Sequence, residues 1–175
     1  MILTRRRVLA ATMLIPLDAV AQTCGVATPR QTEGPFFTPN SPLRTSLFEA
    51  GSKGQRFVVT GRVLSAQCTP LANALVDVWH ADEEGDYDNA GYRYRGHQFT
   101  DAEGRYRFET IVPALYPGRT RHYHVKIQPK SGRLVTSQLY FPGEPMNRRD
   151  GLYRPDLELK TPRPGEGAYD FVVEA

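Results

Sequence analysis

Arg105-Tyr106-Arg107-Phe108-Glu109-Thr110 (RYRFET, residues 105–110) alternates charged with aromatic side chains. In an extended chain that alternation puts Tyr106 and Phe108 on one face and Arg105, Arg107 and Glu109 on the other, the pattern of a half-buried strand. Asp101-Ala102-Glu103-Gly104 before it reads as a turn. Working outward, Arg56 to Leu64 is rich in Val and Thr and is broken by Cys68-Thr69-Pro70, and Ala74 to Trp79 is a second strand-like run. Tyr123 to Gln128 and Arg133 to Phe141 flank a Lys130-Ser131-Gly132 turn, and Ala168 to Val173 is a last candidate. No stretch of a dozen residues carries a 3.6-residue period. The expectation is an all-β chain: an antiparallel β-sandwich over residues 55–175 with long loops, 85–99 among them, and an extended Pro-containing arm over 22–54.

Residues 1–21 read as an export signal: Arg5-Arg6-Arg7, an apolar run from Val8 to Val20, and Ala19-Val20-Ala21 with the form of a cleavage site. Thr4-Arg5-Arg6-Arg7-Val8-Leu9 resembles a twin-arginine signal. The run is shorter than the roughly 20 residues a spanning helix needs, so no stable membrane anchor is expected after cleavage. The expected location is exported, periplasmic or extracellular. Removing the signal takes away three Arg and one Asp, so the net charge falls from +3 to +1, which gives no electrostatic reason to expect nucleic acid as a partner. Cys24 and Cys68 are the only cysteines, and in an exported chain an even count favours a disulfide. The sequence leaves a homo-oligomer open.

The chemistry concentrates in Tyr116-Pro117-Gly118-Arg119-Thr120-Arg121-His122-Tyr123-His124. Alternate residues of a strand share a face, so His122 and His124 can converge on one metal, a weak signal alone. Tyr116 stands upstream, and Trp79 to Tyr87 looks like a strand ending in a Gly-containing loop that presents Tyr87. Two phenols and two imidazoles suit a hard trivalent ion, and Fe(3+) fits. A phenol of ordinary pKa about 10 must be favoured by about 4 kcal/mol to be half ionised at pH 7, which a trivalent cation can supply. Two phenolates and a hydroxide would then cancel its charge, avoiding a net charge in a water-poor site.

Taken together, Gln31 to Phe37, Ala74 to Tyr87, Thr100 to Gly104, Tyr116 to His124 and Leu134 to Pro142 resemble the intradiol ring-cleavage dioxygenases, related to catechol and protocatechuate dioxygenases. The resemblance implies Tyr87, Tyr116, His122 and His124 as ferric ligands, Arg119 as the active-site arginine and Gln138 as a glutamine behind the ligands. It implies a catechol-type substrate and O2 as partners, cleavage between the two hydroxyl-bearing carbons, and a muconate-type diacid product. Tyr116 would leave the metal and take up a substrate proton, and Arg119 would face the negative charge that builds on the ring. The family usually has Pro-Ala between this arginine and the first histidine. Here Thr120-Arg121 intervenes, which leaves open whether Arg119 or Arg121 faces the substrate.

A second reading from another class is a non-catalytic transthyretin-like β-sandwich binding module, which shares the strand and turn pattern but has no need of Tyr116 and the paired histidines. Tyr92, Tyr94, Tyr106 and Tyr140 are expected to pack or to line a rim. His80 is expected to be structural and His97 exposed.

Overall fold

The computed structural model describes residues 24–175; the export-signal segment falls outside them. The described chain is almost wholly strand and loop. Nine strands form: β1 (Arg56–Ser65), β2 (Leu75–Trp79), β3 (Arg95–Phe99), β4 (Arg105–Ile111), β5 (His122–Gln128), β6 (Val135–Tyr140), β7 (Lys160–Arg163), β8 (Glu166–Ala168) and β9 (Phe171–Val173). One sheet runs β4-β1-β8-β7 with β9 also on β1, and the other runs β3-β2-β5-β6. Pairings are antiparallel except those of β8 and β9 with β1, where the two strands follow one another in parallel along the same edge. Between them Tyr169 presses on Gly61, where a Cβ would sit 1.8 Å from the Tyr169 carbonyl oxygen, so only glycine fits.

The core lies between the sheets. Phe57, Val59 and Val63 of β1, Tyr106 and Phe108 of β4, and Phe171 and Val173 of β9 meet Val76 and Val78 of β2, Tyr123, Val125 and Ile127 of β5, and Val135 and Leu139 of β6. The alternation of RYRFET is realised, with Tyr106 and Phe108 buried and Arg105 and Arg107 exposed. Each fully buried Phe or Val contributes about 1.5–3 kcal/mol, so this interface is the main source of stability.

The expected runs 56–64, 74–79, 105–110, 123–128 and 133–141 all fall on strands. Three strands were not foreseen. β3 lies inside the stretch read as loop 85–99, because Arg95-Gly96-His97-Gln98-Phe99 shows no apolar alternation. β7 and β8 are short, exposed or Gly- and Pro-containing. The last expected run is interrupted at Tyr169-Asp170, leaving β8 and β9 on either side.

Residues 24–54 form no helix or strand of their own and touch the sandwich through isolated bridges, Leu43 with His97 and Ser46 with Glu109. They cover the outer face of the β3-β2-β5-β6 sheet, which is why β5 is buried on both faces over His122–Val125. Cys24 and Cys68 form a disulfide that ties the start of this segment to the turn after β1. Among the described residues no helix is long and apolar enough to cross a membrane.

Candidate metal centre

The strand register builds the site. On β5, Tyr123, Val125 and Ile127 enter the core, so His122 and His124 project from the outer face. Across β5 and its neighbours, Arg95, Trp79, His124 and Gln138 stand in register on four adjacent strands, and His122 stands beside Tyr140. The segment 24–54 roofs this row: Phe36 stacks on Tyr87 with centroids 4.5 Å apart and meets Tyr116 edge-on at 5.3 Å. Gly34, at φ +72°, lies so close that a Cβ there would be 3.3 Å from His124 Cε1.

His122 and His124 bring their Nε2 atoms within 3.1 Å, and Tyr87 Oη lies 3.3 Å from His122 Nε2. Tyr116 is half-buried with its ring 5.8 Å from that of Tyr87. The four residues proposed as ligands therefore share one cluster. Gln138 and Arg119 join it: Arg119 Nη2 donates to Gln138 Oε1 at 2.6 Å and Arg119 Nε donates to Asp150 Oδ2 at 2.9 Å. Arg121 instead donates to Glu144 and to the Pro113 carbonyl. Arg119 bears electrostatically on Tyr87, His122 and His124, with Arg95 adding to it at Tyr87 and His124, whereas Arg121 acts on none of the three.

Burial lowers the pKa of His122 to about 4, with Arg119 adding to the effect. Burial, then His122 and Arg119, hold His124 well below the ordinary histidine value. Both rings are thus neutral, the form that binds metals. His122 Nδ1 donates to the Thr120 carbonyl at 2.7 Å, since a carbonyl only accepts, and this leaves its Nε2 with a lone pair. His124 Nδ1 is buried without a hydrogen-bond partner among the described residues. With its proton on Nε2, His124 could donate to the His122 Nε2 lone pair; with its proton on Nδ1, both Nε2 lone pairs face the same gap, and two neutral imidazoles so placed are a donor pair that a cation could bind.

Among the described residues no three His, Cys, Asp or Glu side chains gather to hold a metal, so phenol oxygens would have to complete the shell. Burial raises Tyr87 above the ordinary phenol value, with Arg119 and Arg95 opposing it. A cation beside Tyr87 would be needed to ionise it.

Tyr106 is core, and Tyr140 is placed at the site edge, its Oη 2.7 Å from Gln31 Oε1 and 3.1 Å from Gln138 Oε1. His80 is buried between the Ala81 carbonyl and Thr110. His97 is half-buried, its Nδ1 3.0 Å from Ser41 Oγ, because the 24–54 segment crosses β3 there. Sequence reasoning missed Asp150 and Arg95. Arg95 is buried and donates from Nη1 to the Phe36 carbonyl and from Nε and Nη2 to the Asp88 carbonyl, joining the roof to the Tyr87 loop. Nothing in the sequence sets either residue apart from other charged residues.

A β-sandwich with a buried imidazole and phenol cluster on one outer face defines a class of candidate metalloproteins. Comparison with known proteins narrows the class. A family model described as Dioxygenase matches residues 32–154. The protocatechuate 3,4-dioxygenase beta chain of Burkholderia cepacia is 39% identical over 129 residues, covering 63% of this chain and 54% of that one. Catechol 1,2-dioxygenase 2 of Acinetobacter lwoffii is 32% identical over 171 residues, covering 78% of this chain and 62% of that one. The dioxygenase domain of a dioxygenase carbohydrate-binding protein fusion from Streptomyces sp. SirexAA-E superposes with a TM-score of 0.81 at 49% identity, covering 86% of this chain and 99% of that one. The chain belongs to the intradiol ring-cleavage dioxygenase family. It spans a little over half the length of the two curated relatives.

Proposed function

We propose that this chain is a non-haem iron(III) dioxygenase that cleaves a catechol-type ring between its two hydroxyl-bearing carbons with O2, giving a muconate-type diacid. The observation that carries the reading is the convergence of His122 Nε2, His124 Nε2 and Tyr87 Oη on one buried point beside Tyr116 and the Arg119 guanidinium. Tyr87, Tyr116, His122 and His124 would hold the iron. Bound ferric iron would draw electron density from a coordinated catecholate and make a ring carbon reactive toward O2.

The chain's own groups supply the rest. Tyr116, on a turn and half-buried, would be the phenol placed to accept a substrate proton. Arg119 offers a fixed cation toward negative charge developing on the ring, and Gln138 holds its Nη2. Phe36 and Phe37 exclude water from the cluster. A non-catalytic binding module would have no use for two buried imidazoles facing one another. The disulfide supports an oxidising compartment, in keeping with export to the periplasm or beyond.

Oxygen uptake by iron-loaded protein over catechol, protocatechuate and hydroxyquinol, with product identification, tests the reading. Intradiol diacids that vanish in the His122→Ala/His124→Ala double variant are expected. Extradiol products, or no uptake on any catechol, would refute it.

A further inference from the structure

Thr120 is fully buried between Arg119 and His122, and each of its polar groups is used. Its N–H donates to Asp150 Oδ2 at 2.9 Å, its Oγ1 donates to Asn147 Oδ1 at 2.6 Å, and its carbonyl accepts from His122 Nδ1 at 2.7 Å. Asp150 Oδ2 also accepts from Arg119 Nε at 2.9 Å, while Oδ1 accepts from the Leu152 N–H at 2.9 Å. The Asp150 side chain is 1% exposed. Burial works against its charge, but the Leu152 and Thr120 N–H groups and Arg119 outweigh that and hold its pKa below the ordinary carboxylate value.

From this we infer that Asp150 is a positioning residue which, with Asn147, clamps the Arg119–His122 segment, aiming the Arg119 guanidinium and fixing the His122 ring through Thr120. The inference rests on the iron dioxygenase reading above. The segment needs such a clamp. It follows a turn closed by Arg119 N–H to the Tyr116 carbonyl, and β5 begins only at His122, so no sheet partner sets the backbone of residues 119–121.

A proline at position 120, as the resemblance expects, would hold φ by its ring and offer no N–H. Thr120 has no such ring, but it brings two donors, and both end on residues of one turn. That turn carries a short 3-10 helix, Pro145–Arg148, and is anchored to the end of β6 by Asn147 Nδ2 donating to the Phe141 carbonyl at 2.9 Å. Glu144 at its start pairs with Arg121 at 2.8 Å, so acids at both ends of the turn grip the two arginines flanking Thr120. A ligand histidine oriented through a carbonyl, with that residue held in turn, is the arrangement whose loss typically lowers metal affinity or activity by about 10–100-fold.

The test compares iron-loaded wild type, Asp150→Asn, Arg119→Ala and the double variant, by turnover of catechol and by iron affinity from competition with a chelator. Asp150→Asn is expected to lower kcat about 10–100-fold with little change in KM, and to weaken iron binding, whereas Arg119→Ala should lower kcat and leave iron affinity near wild type. At saturating iron, where the His122 arm of the clamp shows in affinity and not in turnover, the losses in the double variant should not multiply, since Asp150 then acts on kcat through Arg119. Multiplying losses, or wild-type turnover and iron affinity in Asp150→Asn, would overturn the inference. Wild type that binds no iron and cleaves no catechol would instead sink the dioxygenase reading itself. Should Asp150→Asn not fold, hydrogen exchange on the metal-free wild type decides: a protected Thr120 amide supports the clamp and a rapidly exchanging one overturns it.

Discussion

Replacing Gly34 by alanine probes whether the roof touches the metal centre. Gly34 has φ +72°, and an added Cβ would lie 3.3 Å from His124 Cε1 and 3.7 Å from its Nε2. An L-residue held there costs about 1–2 kcal/mol of backbone strain, which for a chain of this size lowers Tm by about 2–8 °C. The contact with His124 is a separate effect, since a ring touched at 3.3 Å must give by a few tenths of an ångström. Gly143 separates the two: it has the same φ, +72°, and a Cβ there meets nothing within 4 Å. Gly143→Ala should therefore melt lower by a similar margin with its iron affinity unchanged. Gly34→Ala should melt lower and also bind iron more weakly, with a shifted visible absorption in the loaded protein. Calorimetry, chelator competition and an optical spectrum on both variants make the comparison. Equal iron affinity and identical spectra in the two would show that the Gly34 backbone does not bear on the site, and the reasoning would fail.

Tyr116→Phe should change the visible absorption of the iron-loaded protein and cut turnover by about 100-fold or more, the usual worth of a lost proton acceptor; an unchanged spectrum would remove Tyr116 from the ligand set. His80, whose pKa burial lowers from 6.5 to about 4, contributes stability that is complete above pH 6.5 and lost as pH falls toward 4, because the unfolded chain then binds a proton that the folded one rejects. Urea unfolding of metal-free protein at pH 7.5 and pH 4 should show a pH-dependent loss about 3 kcal/mol smaller in His80→Gln than in wild type, and an equal loss in both would contradict it. The Cys24–Cys68 bond joins residues 44 apart, so breaking it should cost about 4 kcal/mol if loop entropy governs. Cys24→Ser/Cys68→Ser should then melt about 8–16 °C lower, and an unchanged Tm would count against that mechanism.

Local pattern alone was enough for part of this molecule. The alternation in RYRFET and in His122–Gln128 dictates both the strands and which side chains leave the core, because strand geometry repeats every two residues whatever lies beyond it. For the same reason the pairing of His122 with His124 on one face was legible, whereas Arg119 and Gln138 were named only through the resemblance to the intradiol dioxygenases, which also gave Tyr87 and Tyr116 their roles.

Other features depend on what distant segments bring. β3 is a strand because β2 offers it a hydrogen-bonding edge and residues of the arm cover it, not because Arg95–Phe99 alternates. The choice of Arg119 over Arg121 was undecidable from the order of residues. In the structure the two arginines part company by their partners, Arg119 held by the Asp150 carboxylate and the Gln138 amide oxygen, Arg121 by the Glu144 carboxylate. Asp150, 31 positions from Arg119, gives no local signal. Periodicity reports the side of an element on which a residue lies, whereas hydrogen bonds and charges act through space over a few ångströms, and only the packed chain determines which groups come that close.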